Sequence, residues 1–97
     1  MRYGLEERVI KRLVTFFKKY DFIDQVLLFG SRARGNYGKS SDIDLCIFSN
    51  TMTNLEFSKL KFELDELPIF HKIDIVHFEN VDKELQNNII KIGKKLK

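Results

Sequence analysis

Ninety-seven residues are enough for one domain, 1–97, with an adequate but small core. A 32% charged and 43% hydrophobic composition is that of a folded globular chain, and a net charge of +3 is far from the dense basic face of a dedicated nucleic-acid binder. Cys46, the only cysteine, excludes an internal disulfide and a cysteine-based metal site; with no long uncharged apolar run, neither signal peptide nor membrane span is expected, and the expected location is the cytoplasm.

Leu5, Val9, Leu13, Phe16 and Tyr20 recur at helical spacing, widened by Ile10, Val14 and Phe17, and predict a helix over 5–20 that packs on a sheet. A turn at Asp21 to Asp24 leads to the apolar run Val26 to Phe29, a strand ended by Gly30. A backbone turning at Gly30 can approach a ligand closely, because no Cβ stands in the way. If Ser31 opens a helix, its hydroxyl and the free N–H groups behind it form a phosphate site. Arg32 and Arg34 follow. A guanidinium there can hold a triphosphate oxygen bidentately, or cap the short helix, or pair with a surface acid. Asn36 to Ser41 reads as loop.

The next strand carries Asp42, Asp44, Cys46 and Phe48 on one face and Ile43, Leu45 and Ile47 on the other. Carboxylates at this spacing stand roughly 7 Å apart along a strand. They can converge on one cation, or on two about 3.5–4 Å apart, and oxygen-only ligands suit Mg2+ or Mn2+ rather than zinc. Residues 53–67 predict a helix capped by Thr53 or Asn54 and closed by Pro68. Ile69 to Phe78 predicts a third strand, in which Asp74 needs a cation, a donor or an edge position to be tolerated among β-branched neighbours. His71 and His77 lack a second histidine at ligand spacing and read as surface or internally satisfied groups. A last helix is expected over 81–97, its terminal lysines matching the helix dipole.

The order α, β, short α, β, α, β, α gives an α/β (α+β) fold: a small three-stranded mixed sheet flanked by helices. Gly30-Ser31, a spacer, and Asp42-Ile43-Asp44 resemble the signature of the nucleotidyltransferase superfamily of the DNA polymerase β type. The forms Gly30-Ser31-Arg32-Ala33-Arg34-Gly35 and Ser41-Asp42-Ile43-Asp44-Leu45 resemble those of the small prokaryotic minimal nucleotidyltransferase (MNT) proteins. That resemblance implies a minimal nucleotidyltransferase fold and ATP as nucleotide donor. Asp42 and Asp44 would hold Mg2+ or Mn2+, with Asp74 as the third carboxylate of the metal site. Gly30 and Ser31 would bind phosphates, joined by Arg32 or Arg34.

The resemblance also implies an antitoxin that transfers AMP to a tyrosine of a HEPN-type toxin, as part of a homo- or hetero-oligomer. Two alternatives stand beside it. One is a catalytically idle antitoxin that masks its toxin by contact. The other is an antibiotic-modifying nucleotidyltransferase, for which the chain is short. Direct nucleic-acid binding is not expected.

Overall fold

Val9, Ile10, Leu13, Phe16 and Phe17 fall on one side of helix α1 (Glu7–Lys18), and all five are buried. The computed structural model describes residues 1–97. The chain continues into β1 (Gln25–Phe29), the five-residue helix α2 (Gly30–Arg34) and β2 (Ile43–Phe48). Helix α3 (Asn54–Asp65) then carries it to β3 (Ile73–His77). β1 and β2 are antiparallel, whereas β2 and β3 are parallel, a pairing that requires a crossover such as α3. The consequence is positional. β1 ends at the edge of the sheet where β2 and β3 begin, so Gly30, Asp44 and Asp74 meet at one end.

One sheet face is apolar throughout. Val26, Leu28, Ile43, Leu45, Ile47 and Ile75 pack there against α1 and against Leu60 and Leu64 of α3. Burying each such side chain contributes about 1.5–3 kcal/mol, which makes this face the main source of stability. Tyr20, just past α1, donates its hydroxyl to the Glu63 carboxylate of α3; burial first, then this bond, pushes the phenol up to about 12. Of the two caps expected, Thr53 or Asn54, it is Thr53 that caps α3, reciprocally with Glu56, Thr53 accepting from the Glu56 N–H and Glu56 from the Thr53 N–H.

The opposite face is only partly covered. Helix α4 (Lys83–Ile92) contributes the buried Ile89, and the alternation of β2 directs Cys46 to this side. Burial pushes the Cys46 thiol up to about 12, as befits a small core residue rather than a reactive one. Asp44, Phe48 and Asp74 share this second face and remain half-buried.

Three expectations are corrected. The sheet has four strands in the order β3-β2-β1-β4, not three. The last helix stops at Ile92, and Lys94–Lys95 form β4, antiparallel to Leu28 and Leu27 of β1. Gly93 makes the switch. A Cβ there would stand 2.5 Å from the Ile89 carbonyl and 2.9 Å from Leu27 Cδ1, so the chain passes too closely for any other residue. The third strand begins at Ile73 rather than Ile69, because a tight turn holds the Ile69 N–H on the Leu67 carbonyl and Arg12 takes the Pro68 carbonyl. No helix is long and apolar enough to cross a membrane.

Candidate active site

Asp44 is the hub of the sheet end. It pairs across β1 with Phe29, the residue before the Gly30 turn, and across β3 with Asp74. Neighbouring strands lie about 4.8 Å apart, so in this register the Asp44 and Asp74 side chains are adjacent on one face. Burial first, then the negative charges of Asp74 and Asp42, push the Asp44 carboxyl above its ordinary 3.8, while Arg34 and Lys72 pull the other way. The three acids therefore form one electrostatic group. The chain's ion pairs lie elsewhere, Arg2 with Glu7 and Arg8 with Glu6, so none of the three has a basic partner in contact.

The Gly30 turn closes directly on this group. Gly30 has φ +73°, a conformation that side chains disfavour, and a Cβ there would lie 2.3 Å from Asp44 Oδ2. The glycine thus lets the turn and a carboxylate share one small space. Ser31, beside it, is half-buried, and its carbonyl accepts from the Gly35 and Asn36 N–H groups that end α2.

The two arginines part company. Arg32 is 2% exposed, and its guanidinium donates to the Tyr3 carbonyl at 2.9 Å and to the Ser41 carbonyl at 2.9 and 3.2 Å. His71 Nδ1 lies 3.4 Å away, and the Tyr37 ring is 5.3 Å from the guanidinium carbon. The phosphate role expected for Arg32 is corrected accordingly, since its donors are engaged inside the fold. It clasps the N-terminal turn to the residue preceding Asp42, a positioning task the sequence did not reveal. Arg34 is exposed and close enough to act on Asp44. It also lines a cleft of about 680 Å3 with Asn87, Asn88 and Lys91 of α4, residues that sequence reading passed over. Only the unpaired polar face of that helix could have drawn attention to them.

The donor set suits a hard divalent cation: oxygens only, mutually repulsive, half-exposed, and with no basic side chain in ion-pair contact. Asp42, Asp44 and Asp74 are not arranged as a three-carboxylate group able to hold a metal ion, so the shared metal site expected of all three is not assembled. Mg2+ is commonly held by one or two carboxylates together with substrate phosphates and water, a demand that Asp44 and one neighbouring acid are enough to meet. His77 Nε2 lies 3.0 Å from the Ser49 carbonyl and is buried, an internally satisfied histidine as its sequence context suggested.

Known proteins resemble this chain in sequence and in fold. A family profile described as "Polymerase beta, Nucleotidyltransferase" matches residues 11–97. The chain is 36% identical over 72 residues, 64% of its own length and 71% of the relative's, to a Methanocaldococcus jannaschii protein whose name provisionally assigns it protein adenylyltransferase activity. Among solved structures, it superposes on a chain of a toxin–antitoxin crystallised with AMP-PNP at TM-score 0.75 and 21% identity, covering 91% of this chain and 72% of that one. A second is the complex of a tri-AMPylated Shewanella oneidensis HEPN toxin with an MNT antitoxin, at TM-score 0.63 and 19% identity, covering 96% and 72%. At such identities the likeness is one of fold.

Proposed function

The chain belongs to the polymerase beta nucleotidyltransferase family, and from that premise we propose that it transfers AMP from ATP to a hydroxyl of a partner protein, a tyrosine of a HEPN-type toxin, and so acts as its antitoxin. The carrying observation is the Gly30 turn seated against Asp44, with Asp42 and Asp74 near enough to repel it and Arg34 and Lys72 as the cations that act on it. A fold shared with chains of toxin–antitoxin complexes, one holding AMP-PNP and one an AMPylated HEPN toxin, supports the nucleotide and the partner.

In this reading the Gly30–Ser31 backbone N–H groups and the Ser31 hydroxyl bind the β and γ phosphates. Arg34 supplies charge where the leaving pyrophosphate departs, and the Arg34–Asn88 cleft receives the nucleoside. Asp42 and Asp44 would hold Mg2+ or Mn2+, which when bound neutralises phosphate charge and stabilises the leaving group. Asp74 orients the acceptor hydroxyl and takes its proton as the new oxygen–phosphorus bond forms and the bond to pyrophosphate breaks. Arg32 holds the Ser41 backbone and with it the approach to Asp42. Retention of every acidic position favours transfer over masking by contact alone.

The test is label transfer from ATP. Label on the α phosphate is expected to appear on the partner protein, and label on the γ phosphate is not. Transfer of γ label, or of neither, contradicts the assignment.

A further inference from the structure

On the far side of the sheet from the carboxylates, α1 presents a row of cations over an apolar floor. Arg8, Lys11, Arg12 and Lys19 line a cleft of about 440 Å3 whose floor includes Phe16, Leu67 and Pro68. Lys19 Nζ stands 4.7 Å from the Phe16 ring centre, and Arg12 donates to the Pro68 carbonyl at 2.8 Å, so two of these cations are fixed by the fold. Arg8, Arg12 and Pro68 also border a second cleft of about 420 Å3, which runs on past Lys39 and His71. Its rim carries two large apolar side chains in the open: Phe70 is 103% exposed and Met1 82%. The two clefts adjoin along Arg8, Arg12 and Pro68, and the pair makes up a bipartite trough. Glu6 is the only acid lining it, and Arg8 already pairs with Glu6 at 2.8 Å. At its upper end, His71 abuts Arg32, which grips the Ser41 carbonyl beside Asp42.

We propose that this trough docks an acidic amphipathic segment of the acceptor protein, guiding the acceptor toward the carboxylate end of the sheet. The inference rests on the protein-acceptor reading given above and adds the surface that would recognise that acceptor. Charge complementarity fixes the sign of the occupant: cations with no free acid among them favour glutamate or aspartate. The apolar floor and the exposed Phe70 fix its second property, a hydrophobic side to the same segment. A nucleic-acid strand fits less well. Single strands are gripped by successive stacking platforms, and the trough offers one exposed aromatic ring, Phe70, because Phe16 is 3% exposed.

The probe is a fluorescein-labelled peptide of about 20 residues, helical, with glutamates on one face and leucines on the other, long enough to span α1. A single-stranded RNA of similar length serves as competitor. Fluorescence anisotropy is expected to show peptide binding that weakens as salt rises. It should weaken at least tenfold in the Lys11→Glu/Lys19→Glu variant and severalfold in Phe70→Ala. The variant Lys83→Glu/Lys94→Glu makes the same change in net charge at exposed sites outside the trough and is expected to bind as the unaltered chain does. A milder pair, Lys11→Gln/Lys19→Gln, covers the case in which charge reversal lowers stability, and should weaken binding in the same direction. Equal peptide binding by the trough and control variants would overturn the proposal, as would RNA bound more tightly than peptide and lost in the Lys11/Lys19 variants. Because the binding measurement contains no ATP and reads no transfer, failure here leaves the transferase reading standing, and absence of label transfer leaves the trough standing.

Discussion

At the residue scale, Asp44 is held in a position that is poor for stability. It is partly desolvated, flanked by two like charges, and left without a basic partner in contact. Replacing it with asparagine should remove transfer, by about a thousandfold or more if charge neutralisation supplies most of the rate, while raising the melting temperature in metal-free buffer. The sign follows from the raised pKa. The unfolded carboxyl ionises first as pH rises through 3.8, so the native protein loses stability from there up to its own higher value. The advantage of Asp44→Asn should therefore open across that interval and stay constant above it. Thermal melts at pH 3.5 and pH 8 would check this, and a lower melting temperature for the variant at pH 8 would contradict it.

Arg32 and Arg34 look equivalent in the sequence, two residues apart on a short basic stretch. On a helix that spacing sends side chains to different sides, and only the folded chain shows which is which. Arg32→Ala leaves the Tyr3 and Ser41 carbonyls without their donor and opens a buried space, so it should cost about 2–4 kcal/mol in urea unfolding. Arg34→Ala, at an exposed position, should change stability by less than about 0.5 kcal/mol and raise the KM for ATP instead. The reverse pattern would mean that the roles are exchanged.

At the scale of elements, the sequence made most of the frame legible. Periodicity located α1 and α3, alternation placed the apolar face of β2, and Thr53 was one of two caps expected at the start of α3. The candidate site was legible for a related reason. An acid among β-branched residues, as at Asp74, and a Gly-Ser step ending an apolar strand are local anomalies, and anomalies show in a sequence. Three features were not local. β4 is two lysines that read as the tail of a helix, and they become a strand only because β1 offers an open edge. The role of Arg32 depends on the Tyr3 and Ser41 carbonyls, which only the folded chain brings to its guanidinium. The cleft beside Arg34 is built by the packing of α4. Gly93 is the hinge between helix and strand there, and its backbone is one that any residue can adopt, so only contact forbids a side chain. Gly93→Ala should therefore destabilise by about 1–3 kcal/mol, the range for overpacking. Amide exchange should show the loss first at Leu96 and Lys97, whose N–H groups bond to the Val26 carbonyl.

At the scale of the whole molecule, the sheet separates two tasks. One face is filled with apolar side chains and holds α1 and α3; the other leaves an end open, where acids and a tight turn converge. Stability drawn from the first face allows the second to tolerate repulsion among its carboxylates. The basic trough lies along the outer side of α1, so a docked partner would reach around the sheet edge without filling the carboxylate end. The most direct measurement incubates the chain with the proposed HEPN-type partner, Mg2+ and ATP labelled on the α phosphate, beside an identical reaction with Asp44→Asn. Label on the partner tyrosine with the unaltered chain and none with the variant is the predicted result; label that persists in Asp44→Asn would contradict the account.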